Sequence, residues 1–245
     1  FVTKAVWDPA DMGTGLAAGD KYLNAGTLYV AKFNADGSGT WIDLTHGKNN
    51  LVAVADTLGF PFTSQAAILV GTRLAADTVK ATKMDRPEWG CVNPLNGEVY
   101  MTLTNNNTGR GTTVPVDAAN PRDYDDVDGK KFTGGNPNGH IIRFAEMDSK
   151  ADATSFKWDV YVFGAEADDS VNNLSKLTDD NDFSAPDGLW FDPRGVLWIQ
   201  TDDGAYTDVT NCMMLAAVTG KVGDGEAITV NGQKKDSTVL SICNG

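Results

Sequence analysis

Sulfur and imidazole are scarce in this chain. Its 245 residues include three cysteines (Cys91, Cys212, Cys243) and two histidines (His46, His140). A small, odd cysteine count in a chain this long argues against a disulfide framework, and without CxxC or HExxH spacing a Cys- or His-built zinc site is disfavoured too. No run of 18 apolar residues is present, so no membrane-spanning helix is expected. Positive charge is short: 20 Lys+Arg face 33 Asp+Glu, for a net charge of −13. That weighs against nonspecific nucleic-acid binding and against docking on anionic lipid. Glutamate is nearly missing as well, with 5 Glu against 28 Asp. Asp favours turns, caps and hard-cation sites, so the skew points to a turn-rich β protein with room for calcium. A solvated acidic surface accounts for most of these residues. The chain opens on Phe1 without a signal segment and stops at Gly245 without a closing element, so both ends read as cut.

What is abundant is short β-type runs. Gly26–Phe33 and Thr40–Leu44 flank Asn34-Ala35-Asp36-Gly37-Ser38-Gly39, a hairpin signal in which Asp36-Gly37 reads as a plain turn rather than a calcium loop. Gly139–Phe144 pairs with Phe156–Phe163, and Met213–Ala217 and Ala227–Val230 are further strands. One helix is predicted over Ser64–Ala76, with Ser64 as its N-cap. Residues 105–138 are rich in Asn, Gly, Asp and Pro and form a long loop of the kind that often carries function.

The most informative pattern is a repeat. Pro87-Glu88-Trp89-Gly90-Cys91-Val92-Asn93-Pro94 followed by Gly97–Met101 recurs as Pro186-Asp187-Gly188-Leu189-Trp190-Phe191-Asp192-Pro193 followed by Gly195–Ile199, 98 or 99 residues later. Counting the hairpin at 139–163 as a unit between the copies gives a period of about 50 residues, the length of a β-propeller blade. The predicted fold is all-β, a partial propeller as a single domain over residues 1–245.

If Glu88 and Asp187 open successive inner strands, their carboxylates point to one end of the channel and repel unless a cation neutralises them. Oxygen ligands suit calcium, magnesium, manganese or ferric iron. The alternative is that each caps backbone N–H groups. Arg86 precedes Glu88 by two residues, which in an extended chain puts both on one side. Its guanidinium would then clamp a phosphate beside the metal, or else form a salt bridge with Asp85 or Glu88. Asn105-Asn106 and Asp202-Asp203 are expected at the opposite end of the inner strand. Asp179-Asp180-Asn181-Asp182 is an acidic loop before the second copy, either solvated or part of the site. Cys91, inside a strand, reads as a packed core residue.

The segments Ala81–Trp89, Gly97–Asn106, Ala119-Asn120-Pro121-Arg122, Asn138–Arg143 and Ser184–Gly195, with Gly26–Leu44, resemble the PhoX-type alkaline phosphatases from about residue 1 to about residue 217. The resemblance implies a six-bladed propeller, incomplete here, exported by the twin-arginine route to the periplasm or cell surface. It implies phosphomonoester hydrolysis at alkaline pH with Ca2+ and Fe3+ as cofactors and an oxygen bridging the metals as nucleophile. Small phosphate esters are the implied partners, with no nucleic acid, no membrane span and a monomeric enzyme. Carried over residue by residue, Glu88 matches an iron ligand, Arg86 the phosphate-binding arginine and Asp187 a calcium ligand. Asp85, Asn105, Asn106, Asn120, His140 and Asp182 are further candidates. Family chains are more than twice as long and this piece corresponds to the C-terminal half. The family's iron-ligating cysteine and other metal carboxylates lie in the other half, so Cys91 is not that ligand and the 245 residues alone are expected to be weakly active or inactive. Two other functions compete: a calcium-dependent lactonase of the gluconolactonase type, which the stretch Pro186–Asp192 resembles but which needs no phosphate clamp, and a noncatalytic calcium-binding propeller.

Overall fold

The computed structural model describes residues 1–52, 60–106, 109–125, 134–202 and 212–223, and the strand backbones at 228–230 and 233–235. The chain divides into two compact units. The smaller comprises Phe1–Lys32, Thr40–Thr82 and Lys150–Ser155. It pairs β1 (Val2–Thr3) with β2 (Gly26–Thr27) and carries most of a hairpin, β3 (Tyr29–Phe33) and β4 (Ser38–Asp43). At the hairpin turn Asp36 accepts from the Ser38 N–H and hydroxyl, as a plain Asp-Gly turn should. Three short helices accompany them: α1 (Leu16–Leu23), α2 (Gln65–Val70) and α3 (Thr72–Thr78). Ser64 caps α2 through Ala67 N as predicted, but the single helix expected over 64–76 is broken at Gly71. Glycine is a poor helix former, and a Cβ there would lie 2.9 Å from the Phe60 ring. Leu44, Leu51, Phe62, Ile68 and Ala75 form this unit's core.

The larger unit is two antiparallel meanders. The first runs β5 (Pro87–Val92), β6 (Val99–Leu103), β7 (His140–Glu146) and β8 (Ser155–Phe163). The second runs β9 (Pro186–Phe191), β10 (Val196–Thr201), β11 (Met214–Val218), β12 (Ile228–Val230) and β13 (Gln233–Lys235). Strand β9 lies against β5 and β6. The opening strands of both sheets are therefore neighbours, the arrangement of successive propeller blades, and the all-β, β-propeller-like class predicted from the repeat holds.

The blade length does not. The hairpin 139–163 is no separate unit: β7 and β8 are hydrogen-bonded onto β6 as the outer half of the first blade. Successive inner strands thus start at Pro87 and Pro186, 99 residues apart, instead of about 50. Much of the excess is the loop between β6 and β7, whose short bridges (Asn106 with Asn136, Arg110 with Val114, Asp117 with Asn120) give it structure.

The repeated motif makes the same turn twice. Asn93 Oδ1 accepts from Leu95 N, and Asp192 Oδ1 from Arg194 N, while Gly97 (φ 77°) and Gly195 (φ 82°) take the left-handed position. Between the sheets Tyr100, Ile141, Tyr161 and Val162 interdigitate with Leu189, Phe191, Leu197, Ile199 and Leu215. Tyr100 makes edge contacts with Tyr161 and Phe191 at 5.2 and 5.1 Å. Each such buried side chain contributes about 1.5–3 kcal/mol. Cys91 packs against this core, and burial pushes its thiol up to about 12. It is a packing residue, as predicted.

Candidate functional site

Both inner strands begin in the same way. Arg86 (φ 50°) and Ala185 (φ 48°) sit in the left-handed region directly before Pro87 and Pro186. A residue before proline is normally extended, and αL costs a non-glycine residue about 1–3 kcal/mol. The same end of each hairpin carries a register shift, between Pro87 and Gly90 in one and between Ile199 and Thr201 in the other. Strain of this kind concentrates at sites that do chemistry.

The antiparallel return of each hairpin corrects one expectation. Asn105-Asn106 and Asp202 do not lie at the far end of the inner strand. Leu103 pairs with Pro87 and Thr201 with Pro186, so the ends of β6 and β10 come back beside the strand starts. Thr104 N donates to Arg86 O at 3.3 Å and Asp202 N to Ala185 O at 3.0 Å. Asp203 lies outside the described residues.

On the exposed side of this mouth, Arg86 Nη1 donates to Asn105 Oδ1 at 2.7 Å and Nη2 lies 3.4 Å from Glu88 Oε1. The backbone at Arg86 is not extended, so the same-side argument from strand alternation does not apply; the left-handed turn brings Arg86 and Glu88 together instead. The guanidinium and the Glu88 carboxylate are 58% and 40% exposed. An ion pair so solvated is worth about 0–1 kcal/mol, and both groups stay accessible to a ligand. Asp187 opens β9 next door. Its carbonyl accepts from Thr102 Oγ1 at 2.8 Å, and the same hydroxyl accepts from Trp89 N at 2.9 Å. Thr102 thereby ties the two inner strands at the level of Glu88 and Asp187. A groove of about 320 Å³ beside them is lined by Trp89, Gly188, Leu189, Trp190, Trp198, Gln200 and Met214.

Below Arg86 lies a buried polar network. Asp85 Oδ1 accepts from Arg110 Nε and Asn106 Nδ2, both at 2.9 Å, and Asp85 Oδ2 from Asn136 Nδ2 at 3.2 Å. Asn120 Oδ1 accepts the Asp85 N–H, and its amide donates to Lys83 O and Asp117 Oδ1. His140 faces Asn136 Nδ2 through Nδ1 at 2.9 Å and Ala119 O through Nε2 at 2.7 Å. The amide must donate and the carbonyl must accept, so the ring is neutral with its proton on Nε2. Gly139 (φ 64°) lets this turn close on β6, for a Cβ there would sit 2.0 Å from Thr104 O.

Arg122 is buried further along the loop. It donates to Gly164 O at 2.7 Å and to Gly139 O, and stacks on Phe163 at 4.6 Å. Asp182 stands apart, with Oδ2 accepting from Ala167 N at 3.1 Å. Of the sequence candidates, the fold joins exposed Arg86 and Glu88 with buried Asn105, sets Asp187 on the adjoining strand, and places Asp85, Asn120 and His140 in the buried network that half-buried Asn106 also joins. Arg110, Asn136 and Arg122 were missed because only the folded loop brings them in, and Thr102 because only the packing of β6 against β9 sets it beside Asp187.

Burial pushes the His140 pKa down to about 4 from 6.5, helped by the Arg122 and Arg110 charges and opposed by Asp85. Between those values the unfolded chain binds more protons, so stability is complete above about pH 6.5 and falls as pH drops through 4. The loss approaches about 3 kcal/mol. Urea midpoints measured from pH 8 to 4 should show this decline, and His140→Gln should remove that component.

The donors at the mouth are carboxylate and amide oxygens, the chemistry of a hard cation; no thiolate or free imidazole joins them. Among the described residues no three of His, Cys, Asp or Glu cluster to hold a metal. By donor chemistry Glu88 and Asp187 suit a hard cation, and they would supply only part of its coordination shell.

Fold and site define a β-propeller-like protein whose inner strands open on an arginine and hard-oxygen donors. Residues 2–241 match the family model of the alkaline phosphatase PhoX. The chain belongs to that family, and the match runs past residue 217, where the sequence resemblance had faded. A solved structure, "Pseudomonas fluorescens PhoX in complex with vanadate, a transition state analogue", is similar at 35% identity and a TM-score of 0.72, over 89% of this chain. The chain spans 37% of the length of that relative. No curated protein matches it.

Proposed function

We propose that the full-length protein is a metal-dependent phosphomonoesterase that releases inorganic phosphate from small phosphate esters. The observation that carries this reading is the Arg86 cluster. A guanidinium braced by Asn105 at 2.7 Å stays exposed beside the Glu88 carboxylate, on the chain of an alkaline phosphatase family. Arg86 binds the phosphoryl oxygens and stabilises the charge they develop in transfer. Glu88 and Asp187 hold hard cations, which we assign as Fe3+ and Ca2+ respectively. When bound, these ions would neutralise the phosphate and polarise the reacting bond. Asn105 orients Arg86, and Thr102 keeps Glu88 and Asp187 in register. Both ring nitrogens of buried His140 are occupied by Asn136 and Ala119, and Cys91 stays a thiol at alkaline pH, so neither competes as nucleophile.

We assign the 245 residues to one incomplete propeller domain and the enzyme to the periplasm or cell surface. Among the described residues no helix is long and apolar enough to cross a membrane. The test is p-nitrophenyl phosphate hydrolysis at alkaline pH by the full-length protein, with and without chelator. We expect activity that chelator abolishes and calcium restores, and little or none from the 245 residues alone. A folded, metal-loaded full-length protein that leaves the ester intact would sink the reading, and turnover of a lactone panel would then identify a propeller lactonase.

A further inference from the structure

We propose that Arg110 is a positioning residue: its buried ion pair with Asp85 sets the backbone that aims Arg86 at a phosphoryl group. The inference rests on the phosphatase reading above. Arg110 cannot itself bind substrate. It is 2% exposed, and all three nitrogens are taken: Nε by Asp85 Oδ1, Nη1 by Pro115 O at 2.6 Å and Nη2 by Lys83 O at 2.7 Å. Nor does stability explain it well, because desolvating two charges roughly cancels the attraction gained.

The geometry points to a different role. Asp85 and Arg86 are consecutive, and so are Asn105 and Asn106. Each residue of the first pair bonds one of the second: Asp85 with Asn106 at 2.9 Å and Arg86 with the buried Asn105 at 2.7 Å. Because both pairs are consecutive in the chain, whatever fixes the Asp85 bond fixes the Arg86 bond. Arg110 does so by holding Asp85 Oδ1 from a second direction and by gripping Lys83 O two residues upstream. A left-handed residue before proline persists only where its surroundings over-determine it, and here residues 83 and 85 are both pinned.

The second blade supplies a comparison. Ala185, in the same left-handed position before Pro186, is held by backbone bonds with Asn138 O and Asp202 N. The buried ion pairs of Arg110 and Arg143 are made with Asp85 and Asp159, away from this turn. The turn itself therefore needs no ion pair; the ion pair accompanies the blade whose turn carries an arginine.

The experiment uses the full-length protein with Arg110→Lys, Asn106→Leu and Arg86→Ala, read by p-nitrophenyl phosphate kinetics and inhibition by inorganic phosphate. Arg110→Lys keeps the charge but loses the carbonyl bonds. We expect KM and the phosphate inhibition constant to rise about tenfold or more, with a smaller fall in kcat and little further change in an Arg86→Ala background. A folded Arg110→Lys enzyme with wild-type KM and phosphate inhibition, or effects additive with Arg86→Ala, would overturn the proposal. If Arg110→Lys does not fold, Asn106→Leu breaks the Asp85 link without stranding a charge; wild-type kinetics there overturn it equally. A wild-type protein that hydrolyses no ester defeats the phosphatase reading instead. The positioning claim is then read from crystal structures of the variants: Arg86 displaced from Asn105 supports it, and an unchanged Arg86 refutes it.

Discussion

Arg86→Ala in the full-length protein should lower kcat/KM for phosphate monoesters by about 10²–10³, the usual cost of one donor to developing negative charge. The fold should hardly notice. Arg86 is exposed, its Glu88 partner is largely solvated, and surface changes of this kind stay within about 0.5 kcal/mol. Arg86→Lys separates charge from shape. The ammonium keeps the attraction but cannot brace against Asn105 while forking onto two phosphoryl oxygens. We expect it to fall between wild type and Arg86→Ala, with KM and the phosphate inhibition constant carrying most of the change. Steady-state kinetics with matched thermal midpoints would check this. Wild-type KM in Arg86→Ala would remove Arg86 from the binding role.

Glu88→Gln should be at least as damaging, for another reason. The substitution conserves shape and removes one negative charge from a hard-cation shell. Elemental analysis of the purified protein should show metal lost, with activity falling alongside and partly recovered in excess calcium or ferric salt. Asp187→Asn should do the same to the calcium fraction. On the proposed reading, in which arginine and metal act on the same phosphoryl group, Arg86→Ala combined with Glu88→Gln should be little worse than the poorer single variant. Full metal content in Glu88→Gln would show that the carboxylate serves only the ion pair with Arg86.

The two blades also show what a repeat can be used for. Pro87 and Pro186 open the same strand after the same left-handed residue, yet one turn carries Arg86 and the other Ala185. A symmetric scaffold thus presents one guanidinium while offering a carboxylate, Glu88 or Asp187, from each blade. Differences between copies of a shared turn are where function enters a repetitive fold.

Much of this was legible from residue order, and the boundary has a physical cause. Alternating apolar runs, Asp36-Gly37, and the paired Asn93–Gly97 and Asp192–Gly195 turns rest on neighbours a few positions apart, so strands, hairpins and the recurrence of blades follow from local chemistry. Arg86 and Glu88 stand out in the sequence because they lie two residues apart beside a repeated proline. Quantities that depend on which distant strands hydrogen-bond stayed hidden. The loop of 105–138 separates β6 from β7, so nothing local shows that β7 and β8 finish the first blade, and the period was halved. The hairpin return that carries Asn105 back to Arg86 and the break at Gly71 against Phe60 are likewise contacts between segments. So is the burial of Asp85 under Arg110, 25 residues along the chain. Turn and strand preferences act through bonds between near neighbours and survive in the linear chain. The pairing that builds a blade and seats an arginine exists only once distant segments have excluded water between them.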